Sequence, residues 1–154
     1  MFDAPLDTVY VWVGLGAVSL VVAGAVTAFP TASPAGVGAV ADSVDRVAAS
    51  EYEAREEISV PAAEIRIGPH TVGLRADGRT AYTRLEYGPV TPVHDGPLRA
   101  ALAGTHPREL FADPEAFRTA IERAQRREPS WREAPDELRV RRVSWGEVDA
   151  TLVG

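Results

Sequence analysis

Three histidines are the side chains in this chain best suited to ligate a metal or carry a proton near neutral pH. His70 follows "GP", His94 lies in "TPVHDG", and His106 precedes a proline. No His-x₃-His or His-Glu spacing joins them, so a metal site would have to be assembled by the fold. The chain has no cysteine, which excludes thiolate sites and a disulfide framework. Neither a metal nor another cofactor is expected. His94 and Asp95 have the adjacency of a base and its orienting acid, and they form the alternative ligand site, in the loop 88–96. The same aspartate is also a natural cap for a helix opening at Pro97, and that structural reading is preferred.

The remaining candidates are weaker. No G-x-S-x-G elbow is present, and no serine stands in order with a histidine and an acid. The glycines of "GLGAVSLVVAG" lie in an apolar run with no preceding strand, so a dinucleotide fingerprint is rejected. Arg139, Arg141 and Arg142 could grip an anion. Alternating arginines on a strand more often form the wet face of a half-buried sheet, and that is the expectation here. Trp131 and Trp145 read as core or turn-packing residues. No catalytic residue is assigned, and the chain is expected not to be an enzyme.

The elements that must carry these residues can be read from periodicity. Ser33-Pro34 has the form of an N-cap and first helical position. Val37, Val40, Val44 and Val47 then recur at helical steps, giving an amphipathic helix expected to end within "EAREE". "EIRIG" alternates as a strand. The runs flanking "ADGR" alternate too, and Asp77-Gly78 between them is a strong hairpin signal. "GPVTPVHDG" is too rich in Pro and Gly for a central strand.

Two helices follow. The first opens at Pro97 behind Asp95-Gly96, turns Leu98, Ala101 and Leu102 inward and stops at Gly104. The second opens at Asp113-Pro114, buries Phe117, Ala120, Ile121 and Ala124, and closes before Pro129. The tail reads as a second hairpin, with Leu138 and Val140 on one strand and Val148, Ala150 and Leu152 on the other. Its phase slips at Arg141-Arg142, which predicts a bulge near the Ser144–Gly146 turn. The expected core is Ile65, Ile67, Val72, Leu74, Leu85, Leu102, Phe117, Ile121, Val140, Val148 and Leu152.

Ahead of the domain, no charged residue falls between Thr8 and Phe29. At about 1.5 Å per residue this run is roughly 33 Å long, enough to cross a hydrocarbon core of about 30 Å. Residues 1–7 carry Asp3 and Asp7 and no base, unlike the flank of a cleaved signal. The expected organisation is an N-terminal tail (1–7), a transmembrane helix (8–29), a Pro-rich spacer (30–36) and a single α+β domain (37–154). The fold class is therefore α+β: a transmembrane helix, an amphipathic helix, then a small domain with an antiparallel sheet of two hairpins and two helices between them. Gly16, Ser19, Ala23 and Thr27 form a small-residue stripe in the span, where another helix could pack closely. The expected partners are membrane lipid and a transmembrane-helix protein or a second copy of the chain.

Charge excludes one class of partner. The chain has 22 acidic and 16 basic residues, a net charge of −6, so no nucleic-acid footprint is expected. All of the basic residues are arginine. This composition suits a GC-rich genome, with a hint of salt adaptation.

"RIGPHTVGLRADG", "YGPVTPV" and "RVSWGEVDATLV", behind a span ending "FPTASP", resemble an uncharacterised haloarchaeal membrane-anchored family, a domain of unknown function. Such proteins are similar in layout to accessory components of archaeal type IV pilus-like or secretion systems. The resemblance implies a non-enzymatic, single-pass accessory or pilin-like subunit, although the chain lacks a pilin processing motif. The nearest base after the span is Arg46, which by the positive-inside rule leans toward a cytoplasmic domain. The uncharged spacer and the pilus-like layout lean the other way, and an extracytoplasmic domain is the expectation. The competing expectation is an anchored enzyme or small-ligand sensor using the loop 88–96.

Overall fold

A computed structural model describes residues 36–154, all within one compact unit, Ser33–Gly154. The expected span at 8–29, its stripe Gly16, Ser19, Ala23 and Thr27, and the Ser33-Pro34 cap lie outside the described residues. Among those described, no helix is long and apolar enough to cross a membrane.

Helix α1 (Val37–Ala48) is the expected amphipathic helix, and Val37, Val40, Val44 and Val47 are its buried stripe. It is shorter than the sequence suggested. It ends at Ala48, and the segment read as its last turns becomes strand β1 (Arg55–Ser59). β2 (Glu64–Ile67), β3 (Thr71–Ala76) and β4 (Arg79–Arg84) follow. The β3–β4 hairpin turns through Asp77 and Gly78 with φ of 50° and 72°, the left-handed pair that the dipeptide favours. The Pro/Gly stretch contributes only a two-residue edge strand, β5 (Thr91–Pro92). Then come α2 (Pro97–Ala103), a 3₁₀ turn (Pro107–Glu109), α3 (Pro114–Arg126), β6 (Arg132–Glu133), β7 (Glu137–Trp145) and β8 (Val148–Val153).

The expected single sheet is two sheets. One has the order β4-β3-β2-β6 and is antiparallel throughout. The other runs β1-β7-β8-β5, antiparallel except where β5 lies parallel to β8. The two hairpins thus belong to different sheets, because α1 packs between them and gives each an apolar face to cover. Val40 and Val44 share one core with Ile65 and Leu74 of the first sheet, Leu85 just beyond β4, and Leu138 and Val140 of the second sheet. A second core lies on the other face of the β7–β8 hairpin, where Phe117 and Ile121 of α3 and Leu98 and Leu102 of α2 meet Val143, Ala150 and Leu152. The described residues form an α+β domain with three helices and two sheets.

No bulge interrupts β7. Its pairing with β8 is continuous from Val140↔Val153 to Trp145↔Val148, and that with β1 from Arg55↔Arg141 to Ser59↔Glu137. The hydrophobic phase changes because side chains alternate between two covered faces. Leu138 and Val140 enter one core and Val143 the other.

At the changeover stand Arg141 and Arg142, and neither is on a wet face. Their side chains are only 12% and 22% exposed. Arg142 donates from Nη1 to the Ala48 carbonyl at 2.9 Å, at the end of α1. Arg141 donates to the carbonyls of Ala101 and Thr105, at the end of α2. Both arginines close helix C-termini, where the orphan carbonyls and the dipole favour a cation. Arg139 alone of the three behaves as expected: it is half-exposed and pairs with Glu57 at 3.2 Å.

Local chemistry fixes the other ends. Asp113 caps α3, accepting from the Ala116 amide at 2.7 Å, and Gly104 ends α2 with φ of 132°. Asp45, on the polar side of α1, accepts from the amides of Glu86 at 3.1 Å and Tyr87 at 2.9 Å, tying the chain beyond β4 to the helix. On the outer face of the first sheet, Gly73 leaves room for Tyr82 and Trp131, since a Cβ there would lie 2.7 Å from the Tyr82 ring. Trp131 therefore packs outside the core, with the Arg75 guanidinium 4.2 Å from its ring centre, whereas Trp145 packs on Phe117.

All eleven residues expected in the core are buried. Truncating Phe117, which is fully buried, to Ala should cost about 3–5 kcal/mol in urea unfolding, the usual range for large core aromatics. A loss below about half a kcal/mol, typical of surface sites, would contradict this packing. Asp45→Ala should cost about 1–3 kcal/mol through its two charge-assisted bonds. The exposed Asp42→Ala, less than one turn away, should change stability by less than about half a kcal/mol. Equal effects at the two aspartates would show that Asp45 does not hold the chain.

Candidate functional site

The loop after β5 carries His94 between the N-terminus of α2, the end of α3 and strand β6. β6 brings the partner that sequence spacing did not suggest. Its pairing places Arg132 opposite Ile65 and Glu133 opposite Glu64. Arg132 therefore shares the inward face of the first sheet with buried Ile65, while Glu133 lies on the outward face.

Arg132 Nη1 lies 3.0 Å from His94 Nδ1. A guanidinium has only donors, so His94 Nδ1 is the accepting, unprotonated nitrogen. Arg99 of α2 donates to the His94 carbonyl at 3.3 Å. Asp95 turns elsewhere, to Arg127 at the end of α3, at 3.4 Å. It does not cap α2 either: the N-cap is Gly96, and no side-chain cap bond forms. The expected cap is corrected, because Asp95 is drawn to a cation instead. His94 and Asp95 are neighbours in sequence with separate partners, so the acid does not orient the base through a hydrogen bond.

The electrostatics follow from this convergence. Burial holds the His94 pKa below its ordinary value of 6.5, and the charges of Arg132 and Arg127 lower it further, against a smaller opposing pull from Asp95. Arg132 is lowered in turn, first by burial and then by Arg99. Neither Arg99 nor Arg132 forms an ion pair with any described residue. The Nε and Nη2 atoms of Arg132 are buried without a hydrogen-bond partner. Beside them, Arg99, Arg132 and Arg139 line an open trough of about 770 Å³, together with Glu133, Asp136 and Glu137. On the other side of the loop, His94, Asp95, Arg123 and Arg127 line a smaller cleft of about 200 Å³.

The other histidines are separate from this cluster. His106 caps the 3₁₀ turn, its Nδ1 accepting from the Arg108 amide at 3.1 Å. His70 packs its ring beside Gly88, where a Cβ would lie 2.6 Å from Nδ1. Among the described residues no group of three or more His, Asp or Glu is placed to hold a metal ion. The missed residues are Arg99 and Arg132. The only sequence signal for Arg132 was its position next to Trp131, ahead of a Pro-containing turn, which does not predict a two-residue strand.

The fold and cluster define a small two-sheet α+β domain with a basic, histidine-centred loop site. The chain matches a family of unknown function, DUF7283, over residues 3–143, and it belongs to that family. No curated protein matches it, and no solved structure does.

The lowered His94 pKa has a defined sign in stability. As pH falls through 6.5 the unfolded chain takes up the proton first, so stability from neutral His94 is full above that value and is lost below it. Urea unfolding between pH 7.5 and 5.5 should show stability declining with falling pH, with a flatter slope in His94→Asn. Glu57, held low by Arg55 and then Arg139, is shifted in the same direction, but its contribution is lost only at lower pH, below its ordinary 4.5. An identical slope in the variant would remove His94 as the titrating group.

Proposed function

We propose that this protein is a non-enzymatic, single-pass membrane-anchored interaction subunit, accessory to a pilus-like or secretion assembly in a haloarchaeon. The observation that carries the reading is the uncharged run 8–29 followed so closely by a folded domain. α1 begins at Val37, and a spacer over 30–36 reaches at most about 25 Å when fully extended. A domain tethered in this way meets partners at the bilayer surface. The small-residue stripe at Gly16, Ser19, Ala23 and Thr27 offers a route for a partner helix or a second copy within the membrane. Family membership from residue 3 onward supports treating the apolar run as part of the functional unit.

The separate partners of His94 and Asp95 favour the non-enzymatic reading, since a general base needs its orienting group within hydrogen-bond reach. His94→Gln should therefore leave the biological phenotype intact. Full-length protein should stay with the membrane after carbonate washing, and capture under mild detergent should recover pilus-type ATPase or platform proteins. Release by carbonate, or a mature chain beginning after Ala32, would sink the anchor. Loss of phenotype in a folded, membrane-bound His94→Gln protein would replace the subunit reading with an enzyme or sensor at this loop.

A further inference from the structure

We propose that the trough beside β6 is an oxyanion-binding site, with Arg132 as the bidentate ligand, Arg99 as a second cation and His94 as the residue that holds Arg132 until the anion arrives. Three observations converge on it. The first is the edge of Arg132 left free. Nη1 is engaged by His94, and the unpartnered atoms are Nε and Nη2. Their N–H bonds lie parallel on one edge of the planar guanidinium, the fork that takes two oxygens of a carboxylate or phosphate. Buried donors without partners are rare, and a whole free fork is rarer than a single stray atom.

The second is charge. The charge of Arg99 opposes that of Arg132, in a chain of net charge −6 that has carboxylates to spare. Neither pairs with a carboxylate among the described residues. Arg127, on the far side of His94, does find Asp95. Two like charges held together without a counter-ion are relieved by an anion between them.

The third is space. Both arginines line the trough of about 770 Å³. Arg99 is exposed, and half-buried Arg132 brings its fork to the trough by a side-chain rotation that gives up the His94 bond. Glu133, Asp136 and Glu137 also line the trough, but none of them forms an ion pair with Arg99 or Arg132, and Glu133 belongs to the opposite face of β6.

His94 orients Arg132 through its accepting nitrogen, so protonation breaks that bond in the absence of an anion. The groups facing the imidazole are Arg132 from β6, Arg127 from the end of α3 and Asp95 from its own loop, while Arg99 of α2 holds its carbonyl. An anion at the fork draws Arg132 off the imidazole and adds negative charge beside it, so anion binding and His94 protonation strengthen each other.

The experiment is histidine-resolved NMR of the full chain in detergent, at pH 6.5. Sodium phosphate or sodium succinate is titrated at constant ionic strength against sodium chloride. The expected result is a saturable shift of His94 and a rise in its titration midpoint, with His70 and His106 unmoved. The anion that saturates at lower concentration then names the class, phosphate or carboxylate. Arg99→Gln should weaken the response about tenfold and Arg132→Gln should abolish it. Arg84→Gln, at the opposite edge of that sheet, should not change it. If Arg132→Gln does not fold, the exposed Arg99→Gln still decides. No saturable shift with either anion, or the same shift with chloride alone, would mean that solvent satisfies the fork, and the proposal fails. The readout is local to the loop, so its failure leaves the membrane-subunit reading standing, and loss of the anchor leaves this site standing.

Discussion

Arg141 and Arg142 leave β7 in opposite directions, and each ends against the carbonyl oxygens that close a helix. A helix C-terminus buried without donors leaves several polar groups unpaired, and an arginine inside a sheet has the matching deficit. Placing each deficit against the other lets β7 be covered on both faces. The layer order follows: α1 and the first sheet lie on the Leu138–Val140 side, α2 and α3 on the Val143 side. A strand with one wet face could not carry two cores. The long β7 is therefore the shared wall of the domain, and the helices dock at heights set by where its arginines fall.

Much of this was legible one element at a time. The valine stripe of α1, the Asp77-Gly78 turn, the Asp113 cap and the Gly104 stop are decided by residues within a turn of one another, and each was read correctly. The division into two sheets was not, because it depends on α1 lying between the hairpins, a contact spanning dozens of residues. β1 was hidden for a related reason. "REEIS" alternates weakly and becomes a strand only because β7 offers its free edge. The phase slip in β7 reads in the sequence as a bulge, whereas its pairing is continuous. A bulge and a strand with two apolar faces give the same local pattern, and only the coverage of the second face separates them.

The candidate site shows the same boundary. His94 and Asp95 drew attention because they are adjacent, yet adjacency in a loop does not fix which way two side chains face. Arg127 and Arg132 took one each, from elements 32 and 38 residues away. Nothing in the periodicity of "SWREAP" marks Arg132 as inward-facing. Its direction comes from the register that sets it opposite Ile65, inside the first core's sheet.

An all-arginine complement of bases also acquires a structural reason beside its compositional one. At β7 each guanidinium has to reach helix carbonyls while most of the side chain is covered by protein, and at β6 one has to bond an imidazole with one nitrogen and keep a two-donor edge free. A lysine ammonium is a compact, strongly hydrated charge that cannot divide its donors along a plane and loses more on leaving water. Arg141, Arg142 and Arg132 are thus positions where a charge-preserving exchange removes the interaction. In the first two, Nη1 donates to the protein's own carbonyls and Nη2 faces a carboxylate, Glu53 or Asp149. Arg132 leaves both donors of its bidentate edge unpartnered, and that difference separates a structural guanidinium from the one we propose takes an anion.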